Sequence, residues 1–151
     1  MVLFCPTSFS VKFSRLFGYN NGIGFSVRFT PYDRKSFSKG AVVKFDYIIS
    51  NQGNGYSTTT GKFTCRTPGL YLFLLTVVSD TNWGYAIIVK NKDEINLALT
   101  TLEHNTNKKR YESGSTSALL TLKVGDEVWV KSGTHTSYEW HCNFNGLLIS
   151  E

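Results

Sequence analysis

Apolar and polar positions alternate along most of this chain with a period of two, the repeat of a strand with one face buried. No window sustains apolar residues at i, i+3, i+4 and i+7, so helices are not expected. Phe25-Ser-Val-Arg-Phe29 shows the pattern plainly, with Phe25, Val27 and Phe29 on one face and Ser26 and Arg28 on the other. The strands read from such runs are Phe25–Phe29, Val42–Ile49, Lys62–Arg66, Gly69–Val78, Tyr85–Lys90, Ile95–Thr101, Ser117–Val124, Glu127–Lys131 and Asn143–Ile149. Turn chemistry separates them: Asn51-Gln-Gly-Asn-Gly55, Thr67-Pro68-Gly69, Asp80-Thr-Asn-Trp-Gly84, Val124-Gly125-Asp126 and Asn145-Gly146. Nine or ten short strands within about 125 residues predict an antiparallel β-sandwich of the jelly-roll kind.

Gly69–Val78 breaks the alternation. Leu70, Leu72 and Leu74 fall on one pleat face, and Tyr71, Phe73, Leu75 and Val77 on the other. A sandwich strand normally wets one face. Here the second face needs cover, from another element of the chain or from another copy. Few segments remain to supply it, which points to self-association. Near the start, Phe9-Ser-Val-Lys-Phe-Ser14 echoes Phe25-Ser-Val-Arg-Phe-Thr30 sixteen residues later. Both read as strands, and two copies are too few for a repeat array.

Composition narrows the classes. The chain has 151 residues, enough for one domain with one core, and 41% apolar against 18% charged residues excludes disorder. We expect an N-terminal extension over 1–24 and a globular domain over 25–151. The 13 glycines keep no triplet period, and no apolar run is long enough to span a membrane. The net charge of +5 is N-terminal: residues 1–40 hold six cations (Lys12, Arg15, Arg28, Arg34, Lys35, Lys39) against Asp33. No basic stripe runs through the body, so a nucleic-acid partner is not expected. Cys5, Cys65 and Cys142 lack zinc-finger or CxxC spacing, and the apolar start at Met1–Phe13 is cut by Pro6 and serines, unlike a secretory leader.

Phe45, Asn51, Tyr56, Phe63, Gly69, Tyr71 and Phe73 keep every spacing of the signature of the complement C1q globular-head domain, which this segment resembles; Leu75 stands where Phe or Tyr is usual. Gly125-Asp-Glu-Val-Trp-Val130 and Phe144-Asn-Gly-Leu-Leu-Ile149 are similar to two later motifs of that family, with Asn145 and Leu147 as departures. The resemblance implies a ten-stranded jelly roll of the tumour-necrosis-factor type, assembled as a homotrimer. It also implies a head-only member, like the stand-alone heads of molluscs that act as extracellular lectins and pattern-recognition proteins of innate immunity. The cytokine- and adhesion-type members of the family supply a second expectation, a protein receptor. The resemblance admits calcium as a cofactor, yet the loop carboxylates Asp80, Asp93, Glu94 and Glu103 form no oxygen-dense loop.

Catalysis is not expected. His141 and Cys142 are neighbours on an extended segment and point to opposite faces. The spacing of His135, Glu139, His141 and Cys142 does not suit zinc. Sugars are held by aromatic faces, amides and hydroxyls, and a sialic acid carboxylate favours Arg or Lys. Three segments carry that vocabulary: Asp80–Tyr85 with Trp83 and Tyr85, His104–Glu112 with Lys108, Arg110 and Tyr111, and Thr134–His141 with His135, Tyr138 and Trp140. These eight residues are the expected ligand contacts; Trp83, Tyr138 and Trp140 stand in otherwise polar segments, which suits exposure, while each taken alone suits better a cap on the sandwich edge or a subunit interface.

Overall fold

The computed structural model describes residues 22–80, 84–100 and 111–151. Twelve strands are present among them: β1 (Gly24–Arg28), β2 (Lys35–Phe37), β3 (Tyr47–Gln52), β4 (Tyr56–Ser57), β5 (Lys62–Thr64), β6 (Gly69–Ser79), β7 (Gly84–Lys90), β8 (Asp93–Thr100), β9 (Glu112–Leu122), β10 (Glu127–Ser132), β11 (Thr136–Tyr138) and β12 (Asn143–Ser150). They build two antiparallel sheets. The first runs β2-β11-β6-β12-β1-β3, with β9 also paired to β6; the second runs β4-β5-β10-β7-β8. The all-β jelly roll expected from the sequence is the fold. The surplus over the nine strands read from the sequence comes from β2, β4 and β11, pieces of two or three residues too short to show a period.

The core between the sheets is built of rings. Phe25 stacks on Tyr56 at 5.1 Å and on Phe63 at 5.2 Å, and Phe73 stacks on Phe144 at 6.0 Å. Offset aromatic contacts of this kind add to the area each ring buries. Asn145-Gly146 is not the turn the dipeptide implied. Gly146 lies inside β12, opposite Phe25 and Phe73. A Cβ there would sit 2.5 Å from the Phe25 ring and 2.8 Å from the Phe73 ring, so the glycine makes room for aromatic packing.

Two other strands differ from expectation for clear reasons. Val42–Ile49 is not one strand: the Val43 amide donates to the Val130 carbonyl in the second sheet, and pairing with β1 in the first begins only at Tyr47. The chain crosses between sheets, so no ladder can run through it. β9 begins five residues before Ser117, because β6 and β9 pair without interruption from Ser79↔Glu112 to Gly69↔Leu122. That ladder holds Ser113, Gly114 and Ser115 in a strand against their own preference.

The two faces of β6 meet different surroundings. Tyr71, Phe73, Leu75 and Val77 are buried in the core. Leu74 on the other face is 40% exposed, with Leu119 of β9 at 60%, and Leu147 and Ile149 of β12 exposed beside them. Cross-strand pairing places Leu119, Leu72 and Leu147 in one row. No described element lies over this row.

Candidate functional site

The strand ends that flank the loops expected to bind ligand lie together. Ser79 pairs with both Glu112 and Tyr138, and Gly84 pairs with Thr100. The connections after β6, β8 and β10 therefore open at one end of the sandwich, where β1 ends and β12 begins. Trp83, Lys108 and Arg110 lie outside the described residues. Tyr111 and His135 are exposed at this end, and Trp140 is half-buried. Tyr85 lies against Gly133, just past the end of β10, and shares a pocket with Lys39, Ile87, Glu94 and Lys131.

Tyr138 is a correction. The polar segment around it implies a surface position, but it is fully buried, with its hydroxyl donating to the Tyr85 carbonyl at 2.9 Å and standing 3.2 Å from Ser132 Oγ. Burial pushes the phenol up to about 12, against the opposing hydrogen bond from Ser132. The alternation of β11 puts Thr136 and Tyr138 inward and leaves the ring in contact with Phe37. Its role is to tie the second sheet to the first.

Sequence reading passed over the residues that gather around Trp140. The Arg28 guanidinium lies 4.9 Å from the Tyr47 ring centre and 5.9 Å from that of Trp140. Tyr32 meets Trp140 at 5.1 Å, and the His141 ring lies 3.9 Å from Trp140 on another side. Tyr32 is 88% exposed and holds a left-handed backbone (φ 65°), a conformation that costs energy in a bulky residue. Arg34, Lys35, Lys62, Lys90 and Lys131 are each paired with acidic side chains. Arg28 is in none of these pairs, and its Nε is buried without a hydrogen-bond partner. A half-buried cation with spare donors between aromatic faces is prepared for an acceptor-rich, partly apolar guest. The signal was available: Arg28 is the charged outward residue of an otherwise apolar and hydroxyl-bearing strand.

Neighbouring charges fix the frame. Arg34 bridges Asp80 and Glu139, joining the β1–β2 turn to the loop after β6 and to the turn before β12. Asp46 accepts from the Thr30 amide at 2.9 Å and from Lys35 at 2.9 Å. Burial pushes the Asp46 carboxyl up, but these two bonds outweigh it and hold it below the usual carboxylate range. Cys142 is buried, accepts from the Val78 amide at 3.0 Å, and is pushed up to about 12 by burial. His141 is exposed, so it and Cys142 point apart. Among the described residues no group of three or more His, Cys, Asp or Glu could hold a metal ion.

The signature positions also have physical jobs. The Asn51 amide brackets Tyr56, donating to its carbonyl at 2.9 Å and accepting from its amide at 3.1 Å, and Tyr56 Oη reaches the Phe45 backbone at 3.2 Å. The family model "C1q domain" matches residues 24–149. The chain belongs to the C1q domain family. It is 37% identical over 110 residues to a complement C1q subcomponent of Rattus norvegicus, covering 73% of this chain and 39% of that one. The chain spans about half the length, or less, of the curated relatives it matches. Its fold is shared with the globular domain of zebrafish complement 1qA protein (TM-score 0.71, 24% identity, 85% of this chain and 98% of that one). It is also shared with the Eiger TNF of S. frugiperda (TM-score 0.74, 11% identity, 87% and 95%). The C1q signature thus specifies the sandwich, while Arg28, Tyr32, Tyr47 and Trp140 lie at its open end outside that signature.

Proposed function

We propose that this C1q domain is a secreted, non-catalytic recognition protein of innate immunity, assembled as a homotrimer and binding acidic carbohydrate such as sialic acid or microbial glycans. The observation that carries the reading is Arg28: a half-buried guanidinium with unused donors between Tyr47 and Trp140, with Tyr32 and His141 extending the aromatic surface. A sugar's C–H face stacks on such rings, and a carboxylate takes the guanidinium fork. Assembly supplies affinity, since three weak sites on one particle gain avidity without new contacts.

Two apolar surfaces support the trimer. One is the outer face of the first sheet, with Leu72, Leu74, Leu119 and Leu147; the other is Leu97 and Leu99, exposed on the outer face of β8 in the second sheet. They are different patches of one chain, which suits a head-to-tail contact that closes into a ring. Glycan-array binding by the wild-type protein, weakened in Trp140→Ala and Arg28→Met, is the expected result. No binding above background, to the array or to bacterial polysaccharide, overturns the carbohydrate reading. A second reading, a ligand for a protein receptor, rests on the shared fold with the Eiger TNF. Recovery of one receptor in a pulldown insensitive to competing sugars would favour it.

A further inference from the structure

Among the described residues, three other than glycine hold a left-handed backbone: Tyr32 (φ 65°), Asn54 (φ 51°) and Asn91 (φ 55°). Asparagine tolerates that region, because its short side chain bonds locally. Asn91 does so, donating to Asp126 Oδ1 at 3.1 Å and accepting from the Glu127 amide at 2.9 Å. Tyr32 has no such compensation. It stands in the turn Thr30-Pro31-Tyr32-Asp33, closed by the Asp33 amide on the Thr30 carbonyl at 3.1 Å. Proline at the first central position and a positive φ at the second make this a type II turn, whose second central position suits glycine or asparagine. The core does not offset the strain, since Tyr32 is exposed and its hydroxyl makes no hydrogen bond among the described residues. What the turn places is the ring, 5.1 Å from that of Trp140 and tilted by 44° to it.

We propose that Tyr32 is a specificity-determining ligand contact, held in an unfavourable turn position so that its ring forms the rim of the Arg28 and Trp140 site. The inference rests on the carbohydrate reading above and adds which part of the glycan this residue reads. Strain of this kind persists only where the surroundings over-determine it. They do here: the Thr30 amide donates to Asp46, Asp33 pairs with Lys35, and Arg34 holds Asp80 and Glu139. Arg28 and Trp140 are half-buried and Tyr32 is exposed, so they mark the floor and the rim. An acidic sugar whose carboxylate takes the Arg28 fork presents its linkage outward, past Trp140, and the next sugar unit meets the Tyr32 ring. The tilt between the two rings makes a corner rather than one flat platform, which suits two successive units. The guest is therefore a terminal acidic sugar joined to at least one further unit, and the free monosaccharide makes no contact with Tyr32.

Calorimetric titration with sialyllactose and with free sialic acid, beside thermal unfolding, tests it on the full chain. Tyr32→Gly relieves the turn and should raise the melting temperature by about 2–4 °C. The same variant should bind sialyllactose about tenfold more weakly, the worth of one aromatic contact, and free sialic acid as the wild type does. Tyr32→Phe should keep both affinities, because the ring and not the hydroxyl makes the contact. A wild-type chain that binds neither sugar overturns the inference, and the glycan array then decides separately whether the carbohydrate reading falls with it. Wild-type binding that Tyr32→Gly leaves unchanged, or weakens equally for both sugars, overturns the inference alone. So does a lower melting temperature in Tyr32→Gly, which would mean that the ring supports the fold and the strain needs no ligand.

Discussion

Tyr71, Phe73, Leu75 and Val77 on one face of β6 are as apolar as Leu70, Leu72 and Leu74 on the other, yet the first set is sealed and the second is not. The sealed face is opposed by the aromatic rows of β1, β5 and β12, where rings interlock and Gly146 yields space to two of them. The outer face meets no other element among the described residues. A leucine row of this kind, extended by Leu119 and Leu147, costs solubility in an isolated domain and becomes useful only when another surface covers it. The inner face fixes what the domain is; the outer face is the one the proposed trimer would cover.

The largest effect is expected on the inner face. Phe73→Ala should lower stability by about 3–5 kcal/mol, through lost transfer energy and an unfilled cavity, as read by urea denaturation. An equally drastic change outside, Leu119→Glu, should leave the circular dichroism intact while the particle falls to one chain. If both variants unfolded, or neither changed mass, the contrast between the faces would be wrong. Arg28→Met at the open end should reduce glycan affinity about tenfold to a hundredfold, the worth of a hydrogen bond to a charged group, with no change in melting temperature. Tyr138→Phe, two residues from Trp140 in the chain, should behave oppositely: about 1 kcal/mol of stability lost with its buried hydrogen bond, and glycan affinity unchanged.

A smaller contrast concerns pH. Because Asp46 titrates below its unfolded value, its contribution is complete above the ordinary carboxylate pKa and is lost as pH falls through the lower folded one. Stability should therefore decline below about pH 4, and Asp46→Asn should flatten that decline in an acid-denaturation series.

Much of the sandwich was legible because burial on one face writes itself into the sequence with a period of two, as in Phe25-Ser-Val-Arg-Phe29. The C1q signature was legible because spaced rings and the bracketing Asn51 have no substitute in this geometry. Ser113–Ser115 was not, since only the β6 ladder makes it a strand, nor was Val42–Asp46, which changes sheets. The open end was half legible. Trp140 stood out as an aromatic in a polar segment, but Tyr138 has the same local pattern and differs only in where β11 turns it. Arg28 was seen as a cation in an N-terminal excess, whereas its meaning comes from Tyr47 and Trp140, distant in sequence.

Sedimentation equilibrium at micromolar concentration addresses the outer face directly. The account predicts a single species of three times the 17.0 kDa chain mass, reverting to one chain in Leu119→Glu. A stable wild-type particle of 17.0 kDa under the same conditions would contradict it.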